Sequence, residues 1–216
     1  MNYRNTAQIA QFAWNFYRSN SELKDKVKEG SVEGVEIIPP QATKRKGPEP
    51  IIKRCNSFKE EMEFISQHIK ELVTEKKLSY SDVAILYRVK KNYHTSYIDI
   101  IMKQLAIAKI PFYWITENTT SKREYDKTEN SVKVSTIDSA KGLDFRVVFI
   151  VNIENLPFHR EENEEREVSL FYIGMTRALE WLFLTYSGES KFTKYLDQVN
   201  KQKQMHQTRK TQLRGS

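Results

Sequence analysis

Val83-Ala84-Ile85-Leu86-Tyr87 is an unbroken apolar run of strand length. Such a run suits a strand covered on both faces, as in a parallel sheet, better than one with alternating wet and dry sides. The residues after it agree. Ile98, Ile101, Met102 and Leu105 stripe a helix that must end before Pro111, and Phe112 to Ile115 resumes as strand. Thr116 to Asn130 is polar and turn-rich and reads as a loop. Val132 to Asp138 and Val147 to Ile153 then read as strands, Val168, Phe171, Tyr172 and Met175 stripe a helix, and Leu182 to Tyr186 is a further strand. Phe192, Tyr195, Leu196 and Val199 mark the last helix.

The residues before Val83 continue the pattern. Asn5 or Thr6 can cap a helix carrying Ile9, Phe12, Ala13 and Phe16 at helical spacing, and Val32 to Ile38 reads as a strand that stops at Pro39-Pro40. Ser57 followed by Glu60 is a capping-box pattern, opening a helix striped by Phe58, Met62, Ile65, Ile69 and Leu72 that reaches about Lys76. Strands alternating with helices predict one α/β domain over residues 1–200 with a mostly parallel sheet, a flexible basic loop at about 40–54 and a basic, disordered tail over 201–216.

Composition limits the class. The 216 residues, 39% hydrophobic and 29% charged, can build a sizeable core. The longest aliphatic and aromatic runs, Val83 to Tyr87 and Val147 to Val151, fall far short of the roughly 18 residues of a membrane span, and the N-terminus has no secretory-signal layout, so a soluble protein with no membrane partner is expected. A single cysteine, Cys55, excludes an internal disulfide and a cysteine cluster for zinc and fits the cytoplasm. The net charge of +7 suggests a nucleic-acid binder. The excess, however, sits in Lys44, Arg45, Lys46, Lys53 and Arg54 and in Lys201, Lys203, Arg209, Lys210 and Arg214, leaving the rest slightly acidic. Solubilising segments explain it as well as a DNA groove does.

Several chemistries are missing. The seven glycines never form a GxxxxGK[ST] or GxGxxG loop, and there is no GxSxG elbow. His68, His94, His159 and His206 lack metal-ligand spacing, so no metal site is expected. What stands out is Ser135-Thr136-Ile137-Asp138-Ser139-Ala140-Lys141-Gly142-Leu143-Asp144-Phe145, between two strands. Parallel sheets bind ligands beyond the carboxyl ends of their strands, and Gly142 would let backbone approach one closely; an ordinary polar connection is the equal alternative. In Leu170-Phe171-Tyr172-Ile173-Gly174-Met175-Thr176-Arg177-Ala178, a glycine inside a helix costs roughly 1 kcal/mol relative to alanine and asks for a reason. Gly174 either packs the helix closely or leaves room for a phosphate-sized group beside Arg177, and sequence physics favours packing. Asn2-Tyr3-Arg4-Asn5-Thr6 sets an aromatic and an arginine just before the first helix, where they could meet a base and a phosphate.

In this order, the segments resemble the second motor domain of superfamily 1 DNA helicases of the UvrD/Rep/PcrA type. Residues 2–6 look like its "NYRST" motif, Val83 to Arg88 with Ile110-Pro111-Phe112-Tyr113 like "VAVLYR … GIPY", Thr136 to Phe145 like "TxHxAKGLEF", and Phe171 to Ala178 like "YVGMTRA". The resemblance covers residues 1 to 190 and implies a RecA-like, P-loop NTPase-type lobe lacking the phosphate-loop half, which closes over ATP and Mg²⁺ held mainly by a preceding domain. By resemblance, Tyr3 stacks on the adenine, Arg4 reaches the γ-phosphate and Arg177 is the arginine finger, which makes Arg177 and Arg4 the catalytic pair. Gly142 and Asp144 lie near the ribose and phosphates, and Thr136, Lys141 and Arg88 belong to the nucleic-acid track. The implied partners are single-stranded DNA or a duplex junction and the N-terminal helicase domain of the same protein.

Three departures qualify this. Asp138 stands where the family usually has histidine, and a carboxylate is unfavourable beside a DNA backbone. Asp144 stands for a glutamate and is one methylene shorter. Only Thr116 to Asn130 occupies the place of a large accessory domain. The resemblance implies a motor-domain fragment of an ATP-dependent DNA helicase or translocase, inactive alone. The alternatives are a non-catalytic nucleic-acid or protein-binding module with the same fold, and an unrelated α/β ligand binder.

Overall fold

A computed structural model describes residues 5–22, 31–32, 35–36, 45–158 and 163–212. The elements in chain order are α1 (Ala7–Asn20), β1 (Ser31–Val32), β2 (Val35–Glu36), β3 (Ile51–Arg54), α2 (Phe58–Glu75), β4 (Val83–Tyr87), α3 (Tyr97–Ile107), β5 (Phe112–Trp114), α4 (Thr119–Arg123), β6 (Val132–Thr136), β7 (Phe145–Ile150), α5 (Glu164–Thr176), β8 (Ala178–Tyr186) and α6 (Lys191–Gln212). Six strands form one sheet in the order β3-β8-β7-β4-β6-β5, and every pairing is parallel. The α/β class expected from the sequence is the class observed.

The run at Val83–Tyr87 explains the layering. It is the fourth strand across, wholly buried, with Val83, Ile85 and Tyr87 in the core on the α2/α3 side and Ala84 and Leu86 in the core on the α1/α5/α6 side. Side chains alternate across a strand, so an apolar residue at every position is what two covered faces require. On one face Phe16 of α1 meets Phe171 of α5 and Phe192 of α6 edge-on, with centroids 4.8 and 4.9 Å apart. On the other, Met62, Ile65 and Ile69 of α2 and Ile98 and Ile101 of α3 cover the sheet.

Local chemistry departs from expectation in several places. Ile51–Arg54, expected within a flexible loop, is an edge strand of the main sheet, because Ile51 pairs with Phe183 and α6 packs beside it through Asn200, whose amide donates to the Ile52 carbonyl. Helix α6 runs on through residues 201–212, where a disordered tail is expected, and Lys203 Nζ donates to the Pro50 carbonyl at 3.2 Å. Of the expected strand over 32–38, the described residues show a short antiparallel pairing, Ser31–Val32 against Val35–Glu36; residues 33, 34, 37 and 38 lie outside the described residues. The loop over 116–130 holds the short α4 and closes on Lys133, which is buried between the rings of Tyr113 and Tyr125 and donates to the Glu129 carbonyl and Ser131 Oγ. Burial lowers the pKa of that ammonium. At the start of α2, Ser57 Oγ accepts from Glu60 N as the capping box predicts, while Glu60 reaches back to Asn56 N rather than to Ser57 N.

Candidate functional site

Helix α5 stops at Thr176, and Arg177 is its C-cap in right-handed helical geometry before β8 begins. Its backbone carbonyl accepts from Phe145 N at 3.0 Å, which ties the end of the helix to the start of β7. The guanidinium lies along the loop before that strand. Nη1 is 3.3 Å from Asp144 Oδ1 and 3.4 Å from the Leu143 carbonyl, and Nε donates to the Ile173 carbonyl. With side chains only 21% and 11% exposed, Arg177 and Asp144 form a partly buried pair, so their mutual attraction is screened less than that of a surface pair. Two residues before Asp144, Gly142 has φ +85° and nothing within 4 Å of where a Cβ would stand. That backbone conformation suits glycine and leaves an open approach to the loop. Beside Arg177, the buried Tyr172 hydroxyl has a pKa pushed up to about 12 by desolvation, with the guanidinium charge opposing the rise.

A third segment joins this corner. The side-chain amide of Asn5 donates to the carbonyls of Thr176 at 2.8 Å and Ala178 at 2.5 Å, the two residues flanking Arg177. That commitment explains why Asn5 does not cap α1. Thr6 holds the N-cap position without a side-chain hydrogen bond, and the Arg45 carbonyl accepts from Ala7 N instead. Tyr3 and Arg4 lie outside the described residues. Gly174 does not leave room beside Arg177, because a Cβ there would meet Ile137 Cγ2 at 3.0 Å and Ile150 Cδ1 at 3.2 Å. It lets α5 lie close against the sheet, so the packing alternative holds.

The nucleic-acid candidates gather at the carboxyl ends of β4 and β6. Arg88 forms a two-pronged pair with the fully buried Glu167, Nε and Nη2 lying 2.8–3.1 Å from its oxygens, and its guanidinium covers the Phe158 ring at 5.1 Å. Glu167 also accepts from Phe158 N. Thr136 Oγ1 accepts from Ser139 N, shaping the turn that presents Asp138 and Lys141. Lys141 Nζ is 3.3 Å from Asp138 Oδ1. Sequence reasoning missed Glu167, although it stands four residues before Phe171 in line with the apolar stripe of α5, a position where an acid calls for a buried cation. It also missed Glu61 of α2, fully buried, whose Oε2 accepts from Asn152 N at 3.1 Å and Thr185 Oγ1 at 2.8 Å. Burial first, and the charge of Glu154 second, push its carboxyl up to about 7.

Among the described residues no cluster of histidine, cysteine or acids fits a metal ion, and no helix is long and apolar enough to cross a membrane. The corner of Gly142, Asp144 and Arg177 sets a guanidinium paired with a carboxylate beside an open glycine loop.

The model of the UvrD-like helicase C-terminal domain matches residues 1–124 and 114–189. ATP-dependent DNA helicase Rep of Buchnera aphidicola subsp. Schizaphis graminum is 34% identical over 93 residues, 41% of this chain and 12% of that protein. DNA helicase II of Escherichia coli K12 is 41% identical over 68 residues, 29% of this chain and 9% of that protein. The chain thus spans about a tenth of the length of these relatives. A crystal structure of the C-terminal domain of a possible DNA helicase from Lactobacillus plantarum WCFS1 shares the fold, with a TM-score of 0.55 at 15% identity over 87% of this chain and 89% of that one.

Proposed function

The chain belongs to the UvrD-like helicase C-terminal domain family, and on that footing we propose that it is the second motor lobe of an ATP-dependent DNA translocase. The observation that carries the proposal is the junction of three separate segments at Arg177: Asn5 holds the carbonyls on either side of it, Phe145 N holds its own, and Asp144 holds its guanidinium. A cation fixed that tightly on a loop with an open glycine is preorganised to meet an anion brought by another domain.

In this reading the preceding lobe would hold ATP with Mg²⁺, and ATP would supply the transferable phosphoryl group. The residues of this chain complete that site. Arg177 leans over the phosphates as the lobes close, and a charge so delivered is worth about 10³–10⁵ in rate. Arg4, next in sequence to Asn5, reaches the γ-phosphate, Tyr3 stacks on the base, and Gly142 and Asp144 border the ribose and phosphates. At the other end of the loop, Thr136 and Lys141 meet the nucleic-acid backbone. Arg88 is paired with Glu167 of α5 and would contribute to the track by fixing that helix to the end of β4. Opening and closing of the lobes would then alternate the grip on the strand.

The test is hydrolysis by the isolated chain against hydrolysis by a polypeptide that also holds the phosphate-loop domain. The 216 residues alone should show no Mg²⁺-dependent ATP turnover above background, and the joined polypeptide should show DNA-stimulated turnover. Robust turnover by the isolated chain contradicts the proposal. A joined polypeptide that binds DNA without hydrolysing ATP favours the non-catalytic binding module.

A further inference from the structure

The indole of Trp114, the last residue of β5, reaches across β6 to the last residue of β4. Its Nε1 donates to Tyr87 Oη at 3.0 Å and lies 3.1 Å from Thr116 Oγ1, and those two hydroxyls are 3.0 Å apart. Hydrogen bonds at the ring edge fix the plane of an indole and leave its faces to apolar or cationic contact. Over the ring stands Lys90 Nζ, 4.3 Å from its centroid. Lys90 and Lys91 are exposed, and Trp114 is half-buried against the α2/α3 core. Strand register sets the pair at the ligand-binding end of the sheet, since Tyr87 pairs with Thr136 and Trp114 with Val134, two residues earlier on β6. An exposed ammonium resting on an oriented indole is an arrangement that a nucleotide can divide. Its base offers a π face to the ring, and its phosphate offers an anion to the lysine.

We propose that Trp114 is a base-stacking residue for single-stranded nucleic acid, and that Lys90, which covers its ring in the free chain, moves to the phosphate of the stacked nucleotide as the base takes its place. The proposal rests on the nucleic-acid reading given above and extends the track from Thr136 and Lys141 to the end of β5. The occupant is a single strand, because a duplex keeps its base faces stacked on one another. Every base has a π face, so this contact grips a strand without reading its sequence. The lysine keeps the ring covered until a strand arrives and then supplies a salt-sensitive contact beside it.

The experiment compares the full chain with Trp114→Leu, Trp114→Phe and Lys90→Gln by fluorescence anisotropy of a labelled oligothymidylate over about 50 to 200 mM salt. Trp114→Leu should weaken binding about five- to fiftyfold with the log–log salt slope unchanged, while Trp114→Phe, which keeps a stacking face, should retain most of the affinity. Lys90→Gln should instead make the slope shallower by about 0.7, the contribution of one single-strand phosphate contact. Unlabelled oligothymidylate should also quench part of the tryptophan emission of the unsubstituted chain, and that part should be missing from Trp114→Leu. If thermal unfolding shows Trp114→Leu to be poorly folded, the unsubstituted chain decides: a strand of abasic sites should bind more weakly and leave the emission unchanged. Equal affinity of Trp114→Leu and the unsubstituted chain, or equal quenching by the abasic strand, overturns the proposal alone. Binding by no chain at any salt overturns the nucleic-acid reading with it. ATP separates the two sources of a base, and quenching of the Trp114 emission by ATP but not by the oligonucleotide also overturns the proposal.

Discussion

Arg177 and Asp144, 33 residues apart in sequence, are joined by a 3.3 Å contact that fixes the guanidinium on the loop carrying Gly142. Since Arg177 is also held through its backbone, removing the carboxylate should mis-aim the side chain without dismantling the turn. In a polypeptide containing both motor lobes, Asp144→Asn should lower kcat for DNA-stimulated ATP hydrolysis about tenfold with little change in KM, and Asp144→Glu should recover part of the loss. A rise in KM with kcat intact would place Asp144 in ground-state nucleotide binding instead.

Breaking the Arg88–Glu167 pair should be costly to folding. Glu167 is fully buried, and taking away its charge leaves the guanidinium in a site built for a partner. Urea unfolding of Glu167→Ala should show a loss of about 3–5 kcal/mol. The double variant Arg88→Met, Glu167→Leu should be markedly less destabilised than Glu167→Ala, because neither charge is then left alone. Equal losses would mean that packing rather than charge governs the site.

Glu61 predicts the pH dependence of stability. Its carboxyl is raised from 4.5 to about 7 in the folded chain, so between those values the folded state retains a proton that the unfolded state has lost. Stability from this group is complete below about pH 4.5, declines as pH rises, and is gone above about 7. Chemical denaturation at several pH values should show that decline, and Glu61→Gln should flatten it. A Glu61→Gln profile that parallels the unsubstituted one would assign the decline to other groups.

Gly174→Ala sets helix propensity against packing. Alanine gains about 1 kcal/mol in an α-helix, whereas the added methyl meets two core isoleucines at 3.0 and 3.2 Å, and overpacking typically costs about 1–3 kcal/mol. Net destabilisation of about 1 kcal/mol is expected, and Ile137→Val in the same chain should relieve it. A stabilised Gly174→Ala would show that Ile137 and Ile150 give way easily.

The sheet was legible because its signals are local and redundant. An all-apolar run such as Val83–Tyr87 requires cover on both faces, and the stripes of α2, α3 and α5 each identify their own buried side. Ile51–Arg54 escaped because a short edge strand among prolines and basic residues becomes a strand only by pairing with β8. Within the site, the loop from Thr136 to Asp144 and the turn at Arg177 were visible as motifs. The role of Asn5 was not, since a residue that can cap the helix after it looks the same in sequence as one that bonds carbonyls 171 and 173 residues away. Glu167 and Glu61 were hidden for a related reason: an acid on a helix reads as solvated until the buried arginine or backbone amide that receives it is known.

The role proposed for Arg177 is tested most directly by ATP turnover and ATP binding of Arg177→Ala in a polypeptide that holds both motor lobes. The expected result is nucleotide affinity within about twofold of the unsubstituted protein and DNA-stimulated hydrolysis reduced about a hundredfold or more. Unchanged turnover would contradict the claim that this arginine completes the nucleotide site.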